Sequence, residues 1–275
     1  MKNRKCAVAG QFYPDNVKET DEMITEIYNK EKVKINKEFY NKDIVGGVVP
    51  HAGYVYSGYQ AVHFFDILKN QREKYDTIVI VTPSHSGLGE DVSVSPCEEW
   101  ETPYGNIKVD IEFNRELKLP FSENGQRYEH SGEVMLPFLK YFLDYEFKIV
   151  PIVINSQNYE NAKFVADRIY KVNKFLKRKI AIIASSDFSH YELPEIAKKH
   201  DNIVLEEIKV FNSKKVYESI IDNNLTICGY GPIMTLMEYT KLVREEPKNE
   251  ILRYGSSGDV ANMEKVVDYI SILFY

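Results

Sequence analysis

Residues 44–49 read IVGGVV and run straight into Pro50-His51-Ala52-Gly53-Tyr54. The same plan recurs twice. Residues 76–81 (DTIVIV) lead into Thr82-Pro83-Ser84-His85-Ser86-Gly87, and residues 179–184 (KIAIIA) lead into Ser185-Ser186-Asp187-Phe188-Ser189-His190. Each run is short, continuously apolar and rich in β-branched residues, the pattern of a strand covered on both faces. Each then delivers a histidine within a few residues of its carboxyl end. Ligands of an open α/β sheet bind outside those ends. Parallel neighbours would therefore bring His51, His85 and His190 to one crevice.

Outward from these runs, helical periodicity predicts helices over 16–30, 57–68, 131–143, 161–176, 194–211, 213–221 and 231–242. Further strands are expected at 147–154, 250–254 and 266–274. Val92, Val94, Ile107 and Val109 mark small strands in a polar stretch. Pro137 should bend the 131–143 helix or shift its start. The charged stretch VREEPKNE at 243–250 reads as a surface loop. No repeat or composition shift divides the chain. One domain over residues 1–275 is expected, a three-layer α/β/α unit with a mainly parallel or mixed central sheet.

Composition narrows the function classes. The 275 residues are 44% hydrophobic and 28% charged, as in an ordinary globular protein. A net charge of -6, from 35 basic and 41 acidic residues, argues against a broad nucleic-acid surface. No apolar run reaches the ~18 residues of a membrane span, and the first residues lack the apolar core of a secretory signal. A cytoplasmic location is the default expectation. Cys6, Cys97 and Cys228 are too few and too scattered for a disulfide framework.

The chemistry concentrates in a few residues. Imidazole is the commonest protein ligand for transition metals and a proton shuttle near neutral pH. Cys228, in Cys-Gly-Tyr-Gly-Pro before a helix, has its thiolate favoured by the helix N-terminus and is the best candidate for a third metal ligand. Asp187 and His190, three apart, would share one side of a helical turn. His190 suits an acid/base role and Asp187 its orientation, although Ser189 to Glu192 also matches a capping box. His130, in Glu129-His130-Ser131, could reach the crevice in a supporting or substrate-binding role, with Ser131 capping the helix that follows. His63 reads as a hydrogen-bonded structural residue and His200 as part of a solvated helix face. Tyr54, Tyr56 and Tyr59 could line a pocket or pack. Gly53 and Gly87 let the backbone turn closely.

Taken in order, AGQFYP (9–14), PHAGYVYSG (50–58), PSHSG (83–87), EHSGE (129–133), SSDFSHY (185–191) and CGYGP (228–232) resemble the Memo family. That family is also called the AmmeMemoRadiSam system protein B group. The resemblance spans nearly the whole chain and implies a fold similar to class III extradiol dioxygenases, which hold non-haem iron with two histidines and a carboxylate. By the same resemblance His51 and His85 match the metal-ligand positions, Cys228 replaces the carboxylate, and Asp187 and His190 match the remaining pocket residues. It implies iron or copper binding and an oxidation–reduction role without a settled substrate. Zinc also suits a His-His-Cys set. Animal members are linked to cell motility and bind phosphotyrosine-containing receptor peptides, but a pocket-sized site does not identify such a partner. The expected ligand is a small molecule or peptide, with no nucleic acid and no membrane. The rival readings are a binding module that recognises a peptide without chemistry, and metal storage or delivery.

Overall fold

The computed structural model describes residues 3–275. A short strand, β1 (Asn3–Arg4), precedes helix α1 (Val17–Glu31), where Asn16 caps by accepting from the Glu19 amide. Next come β2 (Gly46–Val49), α2 (Tyr54–Lys69) and β3 (Thr77–Pro83). An excursion carries β4 (Val92–Val94), β5 (Glu99–Trp100), β6 (Ile107–Lys108), α3 (Ile111–Leu117), α4 (Glu123–Gln126) and α5 (Met135–Phe142). The chain returns through β7 (Lys148–Ile154), α6 (Tyr159–Leu176), β8 (Ile180–Ser185) and β9 (His190–Glu192). It closes with α7 (Pro194–Lys209), α8 (Ser213–Asn223), α9 (Tyr230–Val243), β10 (Asn249–Ser256) and β11 (Val266–Phe274).

The main sheet runs β10-β11-β2-β8-β3-β7-β4, and β9 pairs with β11. Its four central strands, β2, β8, β3 and β7, are parallel. β11, β10 and β4 are antiparallel to their neighbours. The sheet is thus mixed, with the parallel part in the middle where helices cover both faces. Alternation explains the two cores. Ile78 and Ile80 pack with Ile24, Phe64 and Leu136 on the face of α1, α2 and α5. Val79 and Val81 pack with Val165, Val204 and Met234 on the face of α6, α7 and α9. A strand with apolar residues on both sides has no solvent face, so its sequence shows a run rather than an alternation.

Register positions the site. Val49 pairs with Ser185, and Val81 with Ala184. The three runs that open the sequence reading therefore end level with one another. Pro137 shifts a helix start: α5 begins at Met135 rather than 131, so the proline sits in the first turn, where its missing amide costs no helix bond. The 243–250 loop is shorter than expected, because β10 begins at Asn249.

The capping box expected at 189–192 does not form. Residues 190–192 are strand β9, and α7 starts beyond them at Pro194 with no side-chain cap. Ser189 instead donates its hydroxyl to buried Asp201 at 2.7 Å, and Glu192 pairs with His200 at 2.8 Å. His200, half-buried on α7, is therefore tied to β9 by this contact. Asp187 and His190 do not share a helical turn. Tyr54 is core, stacked on Phe138 with ring centroids 4.1 Å apart, not a pocket wall. His63 is structural, as expected, hydrogen-bonded to Glu31 at 3.0 Å. Gly87 takes the left-handed φ of +65° that favours glycine, whereas Gly53 needs no unusual conformation at φ -55°.

Candidate metal centre

His51 leaves β2, His85 leaves β3 and Cys228 precedes α9. Their ligand atoms all lie within 4.8 Å of one another. Cys228 Sγ stands 3.3 Å from His51 Nε2. The rings of His51 and His85 meet edge-on with centroids 5.1 Å apart. The topology brings together donors that are 177 residues apart in sequence.

The proton on each imidazole is set by what lies behind it. His51 Nδ1 is 2.8 Å from the Ser185 hydroxyl, which itself donates to the Ser131 carbonyl at 2.8 Å. That hydroxyl has one proton and it is committed, so His51 Nδ1 donates and Nε2 keeps a lone pair facing the thiol. His85 Nδ1 is 2.9 Å from a Glu129 carboxylate oxygen. An ionised carboxylate only accepts, so here too Nδ1 donates, and in the neutral ring Nε2 is the free ligand atom. This arrangement, a ring nitrogen held by a protein acceptor, is the one that orients imidazoles towards metals.

One residue joins the two supports. Ser131 receives the Ser185 hydroxyl on its carbonyl, and it donates to Glu129 Oε1 from its amide at 3.0 Å and its hydroxyl at 2.6 Å. Glu129 also accepts from the His85 amide at 2.7 Å. Buried Arg4 ties this segment down, with 2.7 Å to the Glu129 carbonyl and 2.6 Å to Glu133. Ser131 was expected to cap a helix; its hydroxyl serves Glu129 instead. Glu129, Ser185 and Ser131 had no site role in the sequence reading. The available signal was a buried polar residue at a strand exit and the EHS triplet itself.

Electrostatics follow from burial and these bonds. His51 is held well below the ordinary imidazole range by burial, then by the charges of His85, His130 and His190. Burial would also pull His85 down, but its hydrogen bond and charge contact with Glu129 outweigh this and leave it raised. Burial would raise Glu129, yet the His85 and Ser131 bonds bring it to about 2. Burial pushes the Cys228 thiol well up, and the Asp187 charge adds to this, while the Asp187 amide, 3.3 Å from Sγ, opposes it. A nearby cation would favour the thiolate that this setting otherwise disfavours.

Asp187 and His190 flank the trio without joining it. Asp187 Oδ1 accepts from the His51 amide at 2.7 Å, and its Oδ2 lies 3.9 Å from His51 Nε2. Burial raises this carboxyl to about 7, against the His51 and Ala52 amides that stabilise its charge. His190 has its amide on the Thr226 hydroxyl at 2.8 Å and its Nδ1 on the Thr226 carbonyl at 2.9 Å. A carbonyl only accepts, so His190 also keeps Nε2 unprotonated when neutral. His130 reaches the crevice, as the sequence allowed, its ring 4.5 Å from that of His85 and 4.8 Å from that of Phe12. His85, Glu129 and His130 form a second trio, but Glu129 is saturated with donors and acts as support for His85.

Fold and cluster together define a class: a three-layer α/β/α protein with two imidazoles and a thiol converging beyond the carboxyl ends of parallel strands. Residues 4–273 match the Memo family, described as Memo-like protein. The chain belongs to this family. Among its relatives, a MEMO1 family protein of Saccharolobus solfataricus is 41% identical and the match covers 98% of this chain and 99% of the relative. One from Methanobrevibacter smithii is also 41% identical, over 98% and 99% of the two chains. One from Desulfurococcus amylolyticus is 40% identical over the full length of both. The crystal structure of an uncharacterized protein from Escherichia coli is similar in fold, with a TM-score of 0.51 at 14% identity, covering 78% of this chain and 91% of that one. Among the described residues, no helix is long and apolar enough to cross a membrane.

Proposed function

We propose that this Memo-family chain is a single domain and binds a redox-active iron or copper ion in the cytoplasm. His51 Nε2, His85 Nε2 and Cys228 Sγ are its ligands. The observation that carries this reading is the convergence of one ligand atom from each of the three residues within 4.8 Å, with both rings held through Nδ1, which leaves Nε2 for the ion. The donor set fits the chemistry of such ions. Thiolate and imidazole suit copper, thiolate-tolerant iron and zinc better than hard oxygen-seeking cations. When bound, the ion would supply electron transfer or polarisation of a small-molecule substrate.

The chain's own residues would handle the proton. Asp187, whose Oδ2 lies 3.9 Å from His51 Nε2, would hold or pass a proton beside the ion. His190 offers a neutral Nε2 as the second acid/base group, held by Thr226. Ser185 and Glu129 orient the ligand imidazoles and do not move protons to substrate. The soft sulfur in place of the carboxylate sets the site apart from a two-histidine, one-carboxylate centre. That departure argues against carrying ring cleavage over to this chain.

Metal analysis after anaerobic purification, with spectroscopy of the bound ion, tests the reading. Near one equivalent of iron or copper with sulfur ligation supports it. A protein that takes up neither ion, and binds peptide equally well without metal, would replace it with a non-catalytic binding module. A bound redox metal without turnover on any substrate would favour storage or delivery.

A further inference from the structure

The CGYGP stretch contains two glycines that a cysteine ligand does not by itself require. Each has its own neighbour. At Gly229 a Cβ would stand 2.2 Å from the Ser185 carbonyl oxygen and 2.5 Å from Ser186 Cβ, so the exit of β8 presses on this backbone. The Ser186 hydroxyl accepts from the Gly229 amide at 3.0 Å. At Gly231 a Cβ would meet the Gln157 side chain, 3.0 Å from Oε1 and 3.1 Å from Cγ.

Gln157 lies between β7 and α6 and uses both ends of its amide. Nε2 donates to the Cys228 carbonyl at 2.7 Å, and Oε1 accepts from the Gly231 amide at 2.8 Å. The first amides of a helix have no partner within it. Oε1 therefore caps α9 from a distant part of the chain, while Nε2 holds the peptide of the residue whose thiol faces His51. No side chain of α9 or its N-cap residue provides a cap, so this turn depends on a neighbour.

We propose that Gln157 is a positioning residue for Cys228. Its amide staples the Cys228–Gly231 turn and so holds Sγ where it can share an ion with His51 and His85. The proposal rests on the metal reading above. A cysteine thiol is one rotatable bond from its backbone, so a turn of the Cys228 peptide moves the sulfur directly. The imidazoles are held separately, through Ser185 and Glu129, and would stay in place.

Anaerobic cobalt(II) titration tests this, because sulfur-to-cobalt charge-transfer absorption reports thiolate ligation apart from affinity. Gln157→Ala should weaken binding about tenfold or more, as loss of outer-shell partners does, and should reduce the charge-transfer band. Gln157→Glu keeps the acceptor for Gly231 but places an oxygen against the Cys228 carbonyl. It should lose the band as well, with the helix cap retained. In a Cys228→Ser background, Gln157→Ala should change cobalt affinity no further, because its route is the thiolate. A general loss of fold would weaken binding equally in both backgrounds. Wild type that binds no cobalt overturns the metal reading and the positioning role together. Wild type with a thiolate band that both Gln157 variants retain at unchanged affinity overturns this proposal alone.

Discussion

His51 and His85 leave strands on either side of β8 and both turn Nδ1 into the protein, yet their supports differ. The His51 side chain is 2% exposed and rests on a neutral hydroxyl, Ser185. The His85 side chain is 35% exposed and rests on an ionised carboxylate, Glu129. Deep in the sheet a second charge would be costly to desolvate, and a hydroxyl fixes the tautomer without one. At His85 a carboxylate fixes the same tautomer and makes the ring a stronger base; Glu129 is buried like Ser185, and the His85 amide and both Ser131 donors meet its charge. One orientation is thus reached by two electrostatic routes. The difference shows in proton affinity, lowered at His51 and raised at His85.

The largest expected contrast is in stability. Glu129→Ala would strand the His85 ring, the His85 amide and both Ser131 donors around a buried gap. Breaking a buried charged pair costs about 3–5 kcal/mol; partial exposure of His85 places this one at the lower end, about 3 kcal/mol. Urea unfolding of the metal-free protein measures it. Ser185→Ala removes one hydroxyl and leaves His51 Nδ1 and the Ser131 carbonyl unpaired, at a cost of about 1–2 kcal/mol. Equal losses in the two variants would break the contrast between charged and neutral support.

The pH dependence sharpens it. His85 has a raised folded pKa, so its contribution to stability is complete below the unfolded value, about 6.5, and is lost as pH rises through the folded value. His51 has a lowered folded pKa, so its contribution is present above about 6.5 and is lost as pH falls below that. Glu129, lowered to about 2, contributes above its unfolded value of 4.5 and loses this as pH falls towards 2. Imidazole nitrogen NMR of metal-free protein should show His85 titrating above 6.5 while His51 remains neutral well into acid. The smallest change is Glu129→Gln, which keeps the shape of the support but removes its charge. It should lower the His85 midpoint and leave the His51 ring unmoved. A His85 midpoint unaffected by the substitution would mean that Glu129 is not its partner in solution.

The parts of this arrangement that were legible in the sequence are those made by neighbours along the chain. A buried parallel strand announces itself as a β-branched run, and the residue after it must lie at the carboxyl end, so His51 and His85 could be placed without coordinates. Cys228 could be named because glycines and a helix start surround it. What remained hidden depends on register between distant strands. Ser185 supports His51 only because Val49 pairs with Ser185, and Glu129 reaches His85 across 44 residues. Local pattern also misled where a tertiary partner prevailed. Ser189 matched a helix cap, but buried Asp201 takes its amide and hydroxyl, and the chain continues as β9.

The central claim is that Cys228 completes a soft metal site with the two histidines. Anaerobic titration of wild type and Cys228→Ser with Cu(I), Zn(II) and Fe(II) tests it most directly. The substitution nearly preserves size and exchanges a soft thiolate for a poorly ionised hydroxyl. Cys228→Ser should lose Cu(I) affinity most, Zn(II) next and Fe(II) least. Equal affinities of the two proteins across all three ions would contradict it and remove Cys228 from the site.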